Sequence, residues 1–80
     1  MKYIMFESPT GCEMPLLFPN FMNHKDIAQA VKNPKIKPLS AGFVSVNPTG
    51  FVTAYGKSIS MNMKSRIEDS NIIQHAFEME

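Results

Sequence analysis

The 80-residue sequence contains one cysteine, no tryptophan and almost no net charge, with a formal value of +1. A single cysteine, Cys12, cannot form an internal disulfide, which is typical of a protein from a reducing compartment. The balanced charge argues against nucleic-acid binding and against an acidic mimic of DNA, because both depend on a large field of one sign. No apolar run reaches the length of a membrane span. We therefore expect a cytoplasmic protein that does not bind membranes.

Motifs that carry catalysis or hold cofactors are equally scarce. Neither of the two histidines, His24 and His75, has partner residues at a spacing typical of metal ligands. The glycines are spaced as in turns rather than as in a phosphate-binding loop, and no serine lies in an elbow motif. We therefore expect no metal and no cofactor, and a protein that is not an enzyme.

The residues that are present predict a folded chain with two hairpins. An apolar content of 44% predicts one globular domain over residues 1–80. Residues 8–11 (SPTG) and 47–50 (NPTG) have the composition of type I turns, with proline second and glycine fourth. Each turn lies between runs with strand composition. The predicted hairpins pair Lys2–Glu7 with Glu13–Phe18, and residues 39–46 with residues 51–55.

Three details refine the predicted strands. Pro15 cannot donate to a ladder, so we expect its strand at a sheet edge. The alternation of side chains breaks near Gly42, which predicts a bulge or a close backbone approach there. Residues 58–64 alternate strictly between polar and apolar side chains. This pattern predicts a fifth strand with one buried face.

Two segments carry the signals of helices. Asn23 is the predicted N-cap of the first helix, Asp26 lies in its first turn, and residues 33–34 (NP) end it. Ser65 and Glu68 form a capping box, which predicts that a second helix starts at Ser65. The resulting fold class is α+β, in the order ββα-ββ(β)α. We expect a mainly antiparallel sheet with both helices packed on one face.

The junction between the fifth strand and the second helix is the first candidate site. A helix start presents unpaired N–H groups and a positive dipole end, which together attract anions. Five residues approach this point and could hold a phosphate or a carboxylate: Ser60, Asn62, Lys64, Ser65 and Arg66. The simpler alternative is that Ser65 only caps the helix, Arg66 pairs with Asp69 or Glu68, and nothing binds.

A second candidate site is apolar. The chain has more large apolar side chains than two helices and one small sheet comfortably bury. The candidate interface residues are Phe18, Phe21, Met22, Phe43 and Tyr55. If they are exposed, they mark a contact with a second copy of the chain or with a target protein. The alternative is a loop that folds over the core and buries them.

Three segments resemble small accessory proteins carried by bacteriophages and prophages. They are residues 40–43 (SAGF), 56–61 (GKSISM) and 65–69 (SRIED), and the resemblance extends from residue 15 to residue 77. It implies no particular fold or reaction. Such proteins often bind a host component stoichiometrically, and they include inhibitors of bacterial defence of the anti-CRISPR type. We therefore expect a protein that inhibits or modulates a host protein by binding it. The alternative is a binder of a small molecule such as a nucleotide signal.

Overall fold

The computed structural model describes residues 1–78. Four strands form one antiparallel sheet in the order β2-β1-β3-β4, and two very short strands form a separate hairpin. The elements are β1 (Lys2–Glu7), β2 (Glu13–Phe18), α1 (His24–Ala30), β3 (Lys37–Val46), β4 (Val52–Tyr55), β5 (Lys57–Ser58), β6 (Met63–Lys64) and α2 (Asp69–Glu78). The predicted α+β class with an antiparallel sheet and two helices is confirmed.

Both predicted hairpins are confirmed with nearly the expected limits. β1 pairs with β2 through residues 8–12, and β3 pairs with β4 through residues 47–51. In the second turn the Asn47 side chain organises the loop. Its Oδ1 accepts from the Thr49 N–H at 3.1 Å and from the Phe51 N–H at 2.8 Å. Such side-chain bonds to the local backbone explain why asparagine favours this position.

The two helices lie on opposite faces of the sheet, so the prediction that they share one face is wrong. On the central strand β1, Tyr3 and Met5 point to one side and pack with Ile73 of α2. Ile4 and Phe6 point to the other side, where Ile27 of α1 packs against the same cluster. All four of these β1 side chains are buried. A strand with a continuous apolar run is typical of a sheet that is covered on both faces.

Gly42 marks the close backbone approach that the sequence predicted. A Cβ at this position would lie 2.5 Å from the Tyr55 carbonyl oxygen and 3.3 Å from that of Gly56. The register irregularity lies elsewhere in β3. Met5 pairs with Ser40 but Phe6 pairs with Pro38, so the intervening residue has no partner on β1.

Residues 58–64 do not form one strand, which corrects the sequence prediction. β5 and β6 are joined by a tight turn in which the Asn62 N–H donates to the Ile59 carbonyl at 3.2 Å. Asn62 has a φ of 54°, and asparagine tolerates this left-handed conformation better than most residues. Ser58 is buried and Ile59 is 85% exposed. The polar and apolar side chains of residues 58–64 alternate strictly although the segment contains a turn.

The second helix begins four residues later than predicted. α2 starts at Asp69, and residues 66–69 form a turn closed by the Asp69 N–H, which donates to the Arg66 carbonyl at 3.1 Å. Ser65 is therefore not its N-cap. The first helix does begin as predicted, since Asn23 Oδ1 accepts from the Lys25 N–H at 2.8 Å.

The β4 edge of the sheet is covered by α2, and the β2 edge is interrupted by a proline. On the β2 edge, which was predicted from Pro15, the proline removes one backbone donor from the outer side. On the β4 edge, α2 supplies the acceptors. The Val52 N–H donates to Gln74 Oε1 at 2.7 Å, and the Ala54 N–H donates to Ser70 Oγ at 2.9 Å. Native sheets use such covers to prevent edge-to-edge association.

Candidate functional site

An open cleft of about 630 Å³ lies beside the start of α1, on the sheet face that α1 covers. We call it the aromatic cleft. The β5–β6 hairpin forms its opposite wall. Its lining residues are Lys2, Asn23, His24, Phe43, Gly56, Lys57, Ser58, Ile59 and Ser60.

Two rings, His24 and Phe43, line the aromatic cleft, and the core residue Phe18 packs behind His24. The His24 ring is buried and meets Phe18 and Phe43 edge-on, with centroid distances of 5.3 and 5.8 Å. His24 Nε2 lies 2.9 Å from the Gly42 carbonyl oxygen. A carbonyl only accepts, so Nε2 carries the proton in this contact. Edge-to-face packing and this bond fix both the ring and the start of α1.

The rim of the aromatic cleft combines exposed apolar groups with cations. Tyr55 stacks on Phe43 at 5.8 Å between centroids and is half exposed. Ile59 is 85% exposed. Lys2 and Lys57 stand among the lining residues, and Lys2 Nζ donates to the Met22 carbonyl at 2.8 Å. No Asp or Glu is among the residues that line the cleft. This surface therefore has an apolar floor and a positive rim.

Gly56 shapes the wall of the aromatic cleft. Its φ is 75°, and a Cβ would lie 3.0 Å from the ring of Phe43. Glycine reaches this conformation without steric cost. The chain can therefore leave β4, pass close to the Phe43 ring and place β5 beside the cleft.

The candidate interface residues are distributed between the core and the surface. Phe18 is buried in the core, so its assignment to an exposed interface is wrong. Phe43 lines the aromatic cleft, and Tyr55 stacks on Phe43 at its rim. Met22 is joined to the rim through Lys2, and Phe21 is 87% exposed in the loop before α1.

The five candidate anion-binding residues do not form one site. Ser60 lines the aromatic cleft, whereas Asn62 and Lys64 line a neighbouring cavity on the β5–β6 hairpin. Arg66 is engaged in ion pairs with Glu13 and with Asp69, whose Oδ1 lies 2.8 Å from Nη2. Arg66 therefore already has two carboxylate partners. The alternative pairing of Arg66 with Asp69 is the arrangement that the structure contains.

Asp69 is the centre of a buried polar network that joins α2 to the sheet. Its side chain is fully buried. Oδ2 accepts from the Tyr3 hydroxyl at 2.5 Å, from Ser40 Oγ at 2.6 Å and from the Arg66 N–H at 3.0 Å. Oδ1 accepts from Arg66 Nε at 3.0 Å. We call these residues, with Glu13, the Asp69 network.

The Asp69 network holds its carboxylate in the charged form. Burial alone raises the pKa of Asp69, but hydrogen bonds from Ser40, Tyr3 and Arg66 outweigh burial and lower that pKa below its usual value. Burial and the adjacent carboxylate raise the pKa of Tyr3 above its usual value. A carboxylate saturated with donors anchors structure, and it is not placed to exchange protons with a substrate.

The two pKa shifts predict that stability falls at both ends of the pH scale. The lowered pKa of Asp69 contributes stability above the unfolded value of about 3.9, and this is lost as the pH falls through the folded value. The raised pKa of Tyr3 contributes stability below about 10, and this is lost at higher pH. Urea midpoints measured across the pH range should therefore be flat near neutrality and decline on either side.

Two tyrosine variants test the alkaline limb of that profile. Tyr3→Phe should flatten the alkaline limb, whereas Tyr55→Phe, which changes a half-exposed ring, should leave it intact. An alkaline decline that persists in Tyr3→Phe would show that the buried hydroxyl does not cause it.

Sequence reasoning did not place Lys2, Lys57 and Ile59 beside the aromatic residues of this cleft. The strand pattern placed Ile59 on a buried face, but the turn between β5 and β6 exposes it. Lys2 and Lys57 are far apart in sequence and become neighbours of one cleft only through the fold. Gly56 was the available signal, because a glycine after a strand often marks a sharp change of direction.

Comparison of the chain with protein-family models, with curated proteins and with solved structures finds no match. Within residues 1–78, no group of three His, Cys, Asp or Glu side chains is arranged to hold a metal ion. Neither helix in the same part of the chain has the length and apolar content needed to cross a bilayer.

Proposed function

We propose that this chain is a non-enzymatic binding protein that recognises an acidic, partly apolar segment of another protein through the aromatic cleft. Stoichiometric binding would then inhibit or modulate that partner. The observation that supports this proposal best is the combination of an apolar floor at Phe43, on which Tyr55 stacks from the rim, with lining residues that include lysines and no carboxylate.

The charge of the rim indicates the chemistry of the partner. Lys2 and Lys57 attract carboxylates, and complementary charge increases the rate of encounter and disfavours basic partners. The exposed faces of Tyr55 and Ile59 provide the apolar area that anchors an interface. An acidic segment with one large apolar side chain matches both features.

The protected sheet edges favour binding through a face. Strand addition to an edge requires unpaired backbone groups on that edge. On β4 the side chains of Gln74 and Ser70 accept from two backbone N–H groups, and on β2 Pro15 has no N–H to offer. A partner that meets the side chains of the aromatic cleft needs neither edge.

The resemblance to phage accessory proteins suggests the biological setting of the proposal. We propose that the partner is a host protein in the bacterial cytosol, and that a defence component inhibited in the manner of an anti-CRISPR protein is the first class to test. This step rests on the sequence resemblance alone.

The proposal predicts that partner binding depends on the aromatic cleft. A partner captured from bacterial lysate is identified, purified and titrated against the wild-type chain, Tyr55→Ala and Lys57→Glu. Loss of an anchoring ring or reversal of a rim charge should weaken binding by about thirtyfold or more, the effect of a hot-spot residue. The Lys57→Glu loss should shrink as salt is added, because the rim charge is screened.

Ile67→Ser is the matched control, because Ile67 is 97% exposed and does not line the cleft. It should bind the partner as the wild type does. A partner whose affinity is unchanged by both cleft variants would contradict the proposal. Light scattering on the isolated chain tests the remaining alternative, in which a second copy of the chain occupies the aromatic cleft.

A further inference from the structure

Two lysines face each other on the β5–β6 hairpin. Lys57 and Lys64 are direct partners in this two-residue ladder. The Ser65 N–H donates to the Gly56 carbonyl at 2.9 Å, so the next pair along the hairpin is a non-hydrogen-bonded one. Facing side chains come closest at such positions, with Cβ atoms about 5 Å apart. The hairpin therefore brings two like charges together.

Nothing in the described chain compensates these charges. In residues 1–78 both ion pairs belong to Arg66, and neither involves Lys57 or Lys64. Like charges at directly opposed positions destabilise a pair of strands. A two-stranded hairpin of this length also has little stability of its own. An anion bound between the two lysines would offset this repulsion.

The space beside the lysine pair is suited to an anion. A cavity of about 360 Å³ is lined by both lysines and by Asn62, whose amide can donate. Asn62 is the residue with the left-handed backbone, so the turn projects it from the hairpin in a fixed conformation. The same hairpin carries the hydroxyl of Ser60 on the side of the aromatic cleft.

We propose that Lys57 and Lys64 bind a phosphoryl group. Two lysines paired across the hairpin and lining one cavity match two negative charges on one compact ligand. A phosphate monoester carries about −1.5 to −2 at pH 7 and offers three acceptor oxygens, whereas a carboxylate carries a single charge. The phosphoryl group belongs to a phosphorylated side chain or to a small molecule such as a nucleotide. Arg66 takes no part in this site.

This site shares Lys57 with the aromatic cleft, but Lys64 allows it to be tested separately from the proposed protein partner. Lys57 borders both the aromatic cleft and the lysine-pair cavity, but Lys64 borders the cavity alone. Lys64→Gln therefore tests the phosphoryl site without altering the lining of the aromatic cleft. Failure of one proposal leaves the other standing.

The test titrates the ¹⁵N-labelled chain with inorganic phosphate at low ionic strength, with chloride at matched ionic strength as reference. The amide signals of residues 57–64 should shift saturably with phosphate. Lys57→Gln and Lys64→Gln should each weaken phosphate binding by about tenfold, the effect of losing one charge-assisted hydrogen bond. Lys35→Gln removes an exposed lysine outside the hairpin and should bind as the wild type does.

Thermal melting gives a second readout that does not need a ligand of known identity. Without phosphate, Lys64→Gln should melt above the wild type in low salt, because one of two repelling charges is gone; phosphate should reverse this order. Shifts that do not saturate, or equal binding by Lys64→Gln and Lys35→Gln, would overturn the proposal. An unchanged melting temperature for Lys64→Gln in low salt would overturn it as well.

Titration with a phosphoserine peptide and with adenosine monophosphate then assigns the source of the phosphoryl group by the tighter binder.

Discussion

Replacement of Asp69 by alanine is expected to cost about 3–5 kcal/mol of folding free energy, the loss found when one partner of a buried ion pair is removed. The substitution leaves the Tyr3 hydroxyl and Ser40 Oγ without their common acceptor, and it leaves Arg66 with Glu13 alone. A small domain has only about 5–15 kcal/mol in total. Urea denaturation followed by circular dichroism should show a much lower midpoint.

Glu68→Ala is the matched control for that loss. Glu68 precedes Asp69 in the chain, is exposed, and contributes no side-chain contact to the Asp69 network. Its midpoint should stay at the wild-type value. Equal midpoints for Asp69→Ala and Glu68→Ala would mean that the buried carboxylate does not hold α2 to the sheet. Ser40→Ala removes one of several donors to Asp69, so its urea midpoint should lie between those of Asp69→Ala and Glu68→Ala.

Replacement of Gly42 by alanine is expected to destabilise the fold by about 1–3 kcal/mol or more, the range for overpacking in a closed site. The added Cβ would lie 2.5 Å from a backbone carbonyl oxygen of Tyr55, and a backbone atom cannot rotate away as a side-chain tip can. β4 must move, and the ring of Tyr55 moves with it. Denaturation midpoints should fall, and binding through the aromatic cleft should weaken in the same variant.

Ser45→Ala separates the clash from any general intolerance of β3. Ser45 lies in the same strand and is exposed, so its substitution should change neither stability nor binding. Amide signals of Gly56 and Lys57 should shift in Gly42→Ala and remain in place in Ser45→Ala. Wild-type stability of Gly42→Ala would show that the backbones of β3 and β4 are not in close contact at this point.

The parts of the fold that sequence reasoning predicted are those with local causes. The two turns carry their own hydrogen-bonding residues, as Asn47 shows, and Asn23 caps α1 with its own side chain. Pro15 limits its strand to an edge whatever the rest of the chain does. Each of these features depends on residues within a few positions of one another.

The parts that were missed depend on contacts between distant segments. Arg66 looked available for an anion because Glu13, its partner, lies 53 residues away. The start of α2 was misplaced because Ser65 and Glu68 match a capping box, while the Asp69 carboxylate organises the preceding turn. The placement of the helices on two faces follows from the central position of β1. The run of four apolar residues from Tyr3 to Phe6 was the signal for it.

The candidate site was predicted in part. Phe43 and Tyr55 were both selected as surplus aromatic residues, and the structure stacks them at the aromatic cleft. Phe43 and Tyr55 are in contact because they are direct partners in the register of β3 and β4. The cations around them come from β1 and β5, and no local pattern connects those strands.

The bond between Tyr3 and Asp69 joins residues 66 positions apart, and β1 lies between β2 and β3 in the sheet. β1 precedes all the other described elements in the chain, and its surroundings are complete only when β2, β3 and α2 are in place. Long-range pairing of this kind slows folding. Until β3 emerges, β1 and β2 can form only an isolated hairpin with apolar side chains in water. The native arrangement becomes available only when α2 has left the ribosome, so the surroundings of β1 should be completed no earlier than that point.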